Sequence, residues 1–115
     1  MRFSHSLKEN HLFRRLYRKG RSLACGLLVL YCRENGRDEN RLGLTVSAKM
    51  GCAVKRNKVR RRLREIYRLN EEKFVPGFDF VVVARTRAMD APYEKLERAF
   101  LQLAGKLSLL RRDGE

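Results

Sequence analysis

The sequence predicts a single α+β domain, an α–β sandwich in which helices pack against one small sheet. Three observations carry that expectation. At 115 residues the chain holds enough material for one modest core. Its apolar residues recur at helical spacing in three segments and gather into strand-length runs in three others. The order of these segments, helix, strand, strand, helix, strand, helix, is that of helices layered on a sheet.

The first helix is expected from about Glu9 to Lys19, because Leu12, Phe13, Leu16 and Tyr17 recur at i, i+1, i+4 and i+5. Arg14, Arg15, Arg18 and Lys19 fill much of the remainder, and Gly20 is placed to end the helix in a left-handed cap. Leu27 to Cys32 reads as a strand, with a short edge strand near Ser22 to Ala24. Glu34 to Asn40 is polar and contains Asn35-Gly36, a turn signal. Leu42 to Val46 reads as the returning strand, predicted to pair antiparallel with the first run. Lys55 to Leu69 contains neither Gly nor Pro and reads as a helix whose inner stripe is Val59, Leu63, Ile66 and Asn70. Pro76-Gly77 breaks the chain. Phe78 to Ala84 is then the most continuously apolar run, as expected of a central strand paired on both edges. Asp90 precedes a final helix from about Pro92, whose Leu96, Phe100, Leu103, Leu107 and Leu110 face the core.

Charge narrows the function. Lys and Arg number 27 against 13 Asp and Glu, a formal net charge of +14. A small domain so charged repels itself, and a polyanion relieves that repulsion. No apolar run approaches the roughly 18 residues needed to span a bilayer, so nucleic acid is favoured over membrane as the partner. Met1 to Lys19 is studded with bases and lacks the apolar stretch of a signal peptide, which points to the cytoplasm. Cys25, Cys32 and Cys52 fit no zinc or redox spacing and read as reduced thiols. Acids are scattered, the only histidines are His5 and His11, and no glycine-rich phosphate loop occurs. A self-contained nuclease site and a small-molecule substrate are therefore not expected.

The densest charge lies between Lys49 and Arg68. Nine bases stand there, Lys49, Lys55, Arg56, Lys58, Arg60, Arg61, Arg62, Arg64 and Arg68, against Glu65 alone. On a helix Arg56, Arg60 and Arg64 form one ridge, and Arg61, Arg64 and Arg68 an adjoining one. Like charges at those spacings cost tenths of a kcal/mol per pair, and ordinary solvated faces mix signs to avoid this. A phosphate backbone turns the repulsion into affinity, since guanidinium forks match phosphate oxygens.

The run Ala53-Val54-Lys55-Arg56-Asn57-Lys58-Val59-Arg60-Arg61-Arg62-Leu63-Arg64 resembles the RNR signature of the bacterial ribonuclease P protein family. Lys58 replaces the second Arg of that pattern and Arg60 its Lys, both with charge retained. The resemblance extends along the chain. Phe13, Tyr17 and Gly20 look like the family's F-x-x-x-F/Y-x-x-G pattern. Leu42 to Gly51 looks like the segment leading into its basic helix, and Asp79 to Arg85 like its late strand. Ala48 stands where relatives often carry a second Lys, so any phosphate contact expected there falls to Lys49 or is absent.

The resemblance implies a sandwich like a ribosomal-protein domain, with a mixed sheet and a left-handed βαβ crossover. It implies that the basic helix, through Lys55, Arg56, Asn57, Lys58, Arg60, Arg61, Arg64 and Arg68, docks on the catalytic RNA of ribonuclease P. It implies a cleft between the sheet and the first helix for the single-stranded 5′ leader of precursor tRNA. The RNA with bound Mg²⁺ then cleaves the leader, and the protein aids substrate affinity and metal binding. Phe13, Tyr17 and Tyr31 suit such a cleft, because aromatics stack on unpaired bases with little sequence preference. Lys49 and Arg85 suit its phosphates. Phe13 equally suits the core, and Arg85 a solvated strand end. Asn57 either braces the helix start or contacts RNA or its metal. A structural RNA-binding protein without a processing role shares the charge, but has no need of an aromatic cleft joined to the basic helix.

Overall fold

Phe78–Ala84 is the strand around which the sheet is built. The computed structural model describes residues 4–6, 10–46 and 52–111, with side chains from residue 14 onward. In chain order the elements are β1 (Ser4–Ser6), α1 (Asn10–Lys19), β2 (Arg21–Ala24), β3 (Leu28–Glu34), β4 (Asn40–Val46), α2 (Ala53–Asn70), β5 (Phe78–Ala84) and α3 (Tyr93–Lys106). They form a five-stranded mixed sheet in the order β1-β4-β5-β3-β2. Strand β5 runs antiparallel to β3, with Leu30 opposite Val82, and parallel to β4, with Leu44 opposite Val82. Helix α2 is the crossover between the parallel pair β4 and β5.

The central place of β5 is as predicted, but the hairpin of the two earlier strands is not. Strands β3 and β4 do not pair, because β5 lies between them. The five residues from Asn35 to Glu39 span two interstrand spacings, about 10 Å, instead of making a tight turn. Gly36 supplies the positive φ of 71° that the loop requires. The Asn35 N–H donates to Gly77 O, tying the loop to the entry of β5. The physical reason is burial: a strand apolar on both faces is best shielded at the centre of the sheet. Strand β1, which pairs parallel with β4, carries no apolar signal, and the sequence does not predict it.

Side-chain alternation gives the sheet two dissimilar faces. Leu28, Leu30, Cys32, Leu42, Phe80, Val82 and Ala84 face α2 and α3 and form the main core with Val59, Leu63, Ile66, Leu96, Phe100 and Leu103. Tyr67, outside the predicted stripe, is fully buried there among Phe74, Phe80 and Phe100. Its hydroxyl accepts from the buried Asn40 amide at 3.3 Å, which satisfies a polar atom in an apolar setting. Among the described residues the opposite face carries α1, whose Leu16 is buried on Val81 beside Tyr31 and Val83.

Two helix ends differ from expectation. Gly20 is not left-handed, since positive φ among the described glycines is confined to Gly36 and Gly77. Its requirement is steric: a Cβ there meets Leu16 O at 2.6 Å and Cys32 O at 2.7 Å, both backbone atoms. Helix α3 stops at Lys106, and Ser108 with φ 61° reverses the chain so that Leu110 bridges Phe74 instead of extending the helical stripe.

These positions give a paired test. Gly20→Ala is expected to lower stability by about 1–3 kcal/mol through the forced backbone shift. Gly105→Ala, whose Cβ meets Leu110 Cδ1 at an ordinary 3.7 Å, is expected to raise it by roughly 0.5–1 kcal/mol. Urea midpoints of the two variants check both signs.

Candidate nucleic-acid interface

Helix α2 sorts its bases by burial. Val59, Leu63, Ile66, Tyr67 and Asn70 face inward, as the predicted stripe requires. Lys55, Asn57, Lys58, Arg61, Arg64 and Arg68 are exposed, whereas Arg56, Arg60 and Arg62 are half-buried. The half-buried group divides again. Arg62 donates to Ala91 O at 3.3 Å and so ties α2 to the segment before α3. Arg60 donates to Asn57 Oδ1 at 3.0 Å and reaches Val46 O at 3.4 Å. The oxygen of the exposed amide in the basic run thus aims the Arg60 guanidinium across the end of β4. Arg56 buries its Nε without a hydrogen-bond partner, holding the guanidinium stem against the fold.

The other surface is the face of the sheet that α1 leaves partly open. Tyr17, 44% exposed, meets Tyr31 edge-on with ring centroids 4.7 Å apart. Beside them lie Val81 and half-buried Val83. Two aromatic rings thus stand at the edge of an apolar floor, as a stacking platform requires. Arg85 follows β5 directly, about 13 Å along the strand from Val81. It is exposed and donates to Cys25 O at 3.3 Å. Because Val46 and Ala84 are register partners, Arg60 and Arg85 lie toward the same end of the sheet. The basic helix and the aromatic face, on opposite sides of the sheet, therefore each extend a base toward the same end.

The far end of this face is closed by charge pairing that sequence reasoning missed. Arg41 and Asp79 are cross-strand partners joined by two hydrogen bonds of 2.7 Å, and Asn35 Nδ2 donates to the same carboxylate at 3.0 Å. Asp79 is buried. The available signal was an acid inside the run Phe78-Asp79-Phe80-Val81, which a buried strand carries only when a cation meets it.

Of the residues expected from sequence, the structure brings Lys55 to Arg68 onto one helix and sets Tyr17 against Tyr31. The Phe13 side chain and Lys49 lie outside the described residues. At the start of α2, Cys52 is exposed, and the Lys55 backbone N–H facing its sulfur favours the thiolate. With further backbone N–H groups and the Lys55 ammonium adding to this, the thiol sits below its ordinary range. Burial pushes the Cys32 thiol the other way, with Arg21 opposing. Among the described residues no helix is long and apolar enough to cross a membrane.

Comparison with known proteins agrees with this geometry. Residues 1–108 match the family model described as Ribonuclease P. The ribonuclease P protein component of Alkaliphilus oremlandii is 44% identical over 110 residues, covering 96% of each chain. The solved RNase P protein of Staphylococcus aureus superposes with a TM-score of 0.85 at 32% identity, covering 92% of this chain and 97% of that one. The RNase P protein of Thermotoga maritima gives 0.81 at 32% identity, with 88% and 96% covered.

Cys52 is a built-in probe of the positive field at the start of α2. Iodoacetamide is expected to modify exposed Cys52 first, half-buried Cys25 later and buried Cys32 last. A lowered thiol pKa means that thiolate predominates earlier as pH rises. The Cys52 rate should therefore reach its plateau below the pH at which a free thiol, with pKa about 8.5, reaches its own. A pH–rate curve matching that of free cysteine contradicts the field.

Proposed function

The chain belongs to the ribonuclease P protein family, and from that premise we propose that it grips two RNAs at once. The catalytic RNA docks on α2, and the 5′ leader of precursor tRNA lies along the sheet face beside α1. The observation that supports this reading is that both surfaces send a base to the same end of the sheet, where Arg60 reaches Val46 O and Arg85 leaves β5. A leader running over Tyr17 and Tyr31 toward Arg85 is thereby led to the RNA held on the helix.

On this reading each residue has a physical role. Arg61, Arg64 and Arg68, with Lys55 and Lys58, meet phosphates from the exposed side of α2. Arg60 enters the same contact pre-aimed by Asn57, so less side-chain freedom is lost on binding. Tyr17 and Tyr31 stack on leader bases whose identity varies, each contact contributing about 1–3 kcal/mol. Phe13, Lys49 and Arg85 complete the leader path.

We assign the cleavage chemistry to the RNA, with Mg²⁺ held mainly by RNA oxygens. The surroundings of Asn57 do not fit a metal site: its oxygen accepts from Arg60, and Lys55, Arg56 and Lys58 flank it. Its support for the ion is indirect, through the guanidinium it positions. The working location is the cytoplasm, where precursor tRNA is made.

The direct test is leader removal by a bacterial ribonuclease P RNA at low Mg²⁺, with and without the protein. Stimulation that disappears when the leader is shortened is the expected result. Tight, salt-sensitive RNA binding without stimulation overturns the processing role. In the same system, Ala at Arg56, Arg60, Arg61 and Arg64 should weaken binding to the catalytic RNA. The salt slope should flatten by about one unit per lost phosphate contact. Tyr17→Ala and Tyr31→Ala should weaken precursor tRNA binding about 5- to 150-fold and leave mature tRNA unaffected. Equal losses on both substrates would return the tyrosines to a purely structural role.

A further inference from the structure

The fold has a second unneutralised basic surface, on the side of the sheet opposite α2. Helix α1 buries Leu16 against Val81 and turns Arg14, Arg15, Arg18 and Lys19 to solvent. Asn10–Lys19 contains no acid, and among the described residues none of these four cations has a carboxylate partner. Arg14 lies four residues before Arg18, and Arg15 four before Lys19, so the charges form two rows of like neighbours about 6 Å apart along the axis. Arg18 and Lys19 sit in the last turn, where the helix dipole favours cations. Arg14 and Arg15 have no such compensation. A ten-residue helix is marginal alone, and nothing in the packing requires four unpaired bases on it.

Resting on the reading above, we propose that the outer face of α1 docks a double-helical segment of the catalytic RNA, separate from the segment held by α2. The chemistry of the surface selects this occupant. Among the described side chains of α1, the outer positions are the cations Arg14, Arg15, Arg18 and Lys19, whereas the aromatic Tyr17 turns to Tyr31 at the inner edge. Capture of a single strand uses stacking groups, while a duplex hides its bases and offers phosphates. A substrate leaves after each turnover, so a resident polyanion is the better match for charges with no carboxylate partner among the described residues. The two basic surfaces face away from each other across the sheet, because α1 and α2 pack on opposite faces. One straight duplex therefore cannot lie on both, and the protein acts as a clamp between two RNA segments.

The test compares the full-length chain with Arg14→Gln/Arg15→Gln/Arg18→Gln/Lys19→Gln, in which Gln keeps helix propensity. A thermal melt verifies folding. Binding to ribonuclease P RNA alone, without tRNA, is measured across salt, with hydroxyl-radical footprinting of the RNA. The expected result is at least tenfold weaker binding at 150 mM KCl and a salt slope lower by about two to four units. A helical footprint should also vanish that Arg61→Gln/Arg64→Gln/Arg68→Gln retains. Unchanged slope and footprint overturn the proposal. So does a loss seen only with leader-bearing precursor tRNA, or lost binding to phosphatidylserine vesicles with RNA binding intact. The α2 variant separates the two readings: if it leaves the slope unchanged while the α1 variant lowers it, docking through α2 falls and the α1 surface stands.

Discussion

Strand β5 hydrogen-bonds to β3 along one edge and to β4 along the other, and the placement of every other element follows from that double pairing. Because it is parallel to β4, the chain between them must return across the sheet, and α2 makes that return. Because the Phe80, Val82 and Ala84 face is filled by α2 and α3, the Val81 and Val83 face is left, among the described elements, to α1. One short helix cannot cover a five-stranded sheet, so part of that face stays open. The open face beside α1 and the basic helix behind the sheet are thus two consequences of one strand's position.

The ends of this strand are held by polar groups of unlike kinds. At its start, Asn40 Oδ1 accepts from the Phe78 N–H and its amide donates to Val75 O, locking the approach of β5 to β4. Asp79 is then clamped by Arg41. A buried acid and its cation cost desolvation that their attraction only partly offsets, but together they fix register, since a one-residue slip would bury each without the other. At its finish, Ala84 is followed by exposed Arg85, whose side chain donates to the Cys25 carbonyl and, among the described residues, to no acid. One end of the face beside α1 is therefore closed by internal pairing, and the other is left cationic.

Much of this is legible in the sequence, for definable reasons. Helical periodicity locates all three long helices, and the inner stripe of α2 is right at Val59, Leu63, Ile66 and Asn70. The continuous apolar run identifies β5 as central. What fails is pairing: local strand signals do not say what inserts between two strands, and Asn35-Gly36 signals a turn, not a hairpin. Gly20 reads as a cap because sequence shows a missing side chain but not which crowding requires it; the carbonyls of Leu16 and Cys32 supply that reason. Within the basic run, residue type points to RNA but does not separate exposed Arg61 from Arg62, which bonds to Ala91 O. Nor does it show that Asn57 serves Arg60.

The start of α2 carries the cost of this design most plainly. Its first turns hold Lys55, Arg56 and Lys58 and no acid, at the end where the helix dipole is already positive. Each misplaced cation costs roughly 0.3–1 kcal/mol there, and neighbouring like charges add tenths more. Burial of Val59, Leu63, Ile66 and Tyr67 contributes roughly 1.5–3 kcal/mol for each large apolar side chain, enough to hold the helix against its own charge. Asp90, 3.9 Å from Lys55 and exposed, offsets only part of that penalty, and a further anion placed at the terminus would gain from the dipole. The fold thus keeps α2 formed while its bases remain largely without acidic partners, a surface suited to a polyanion.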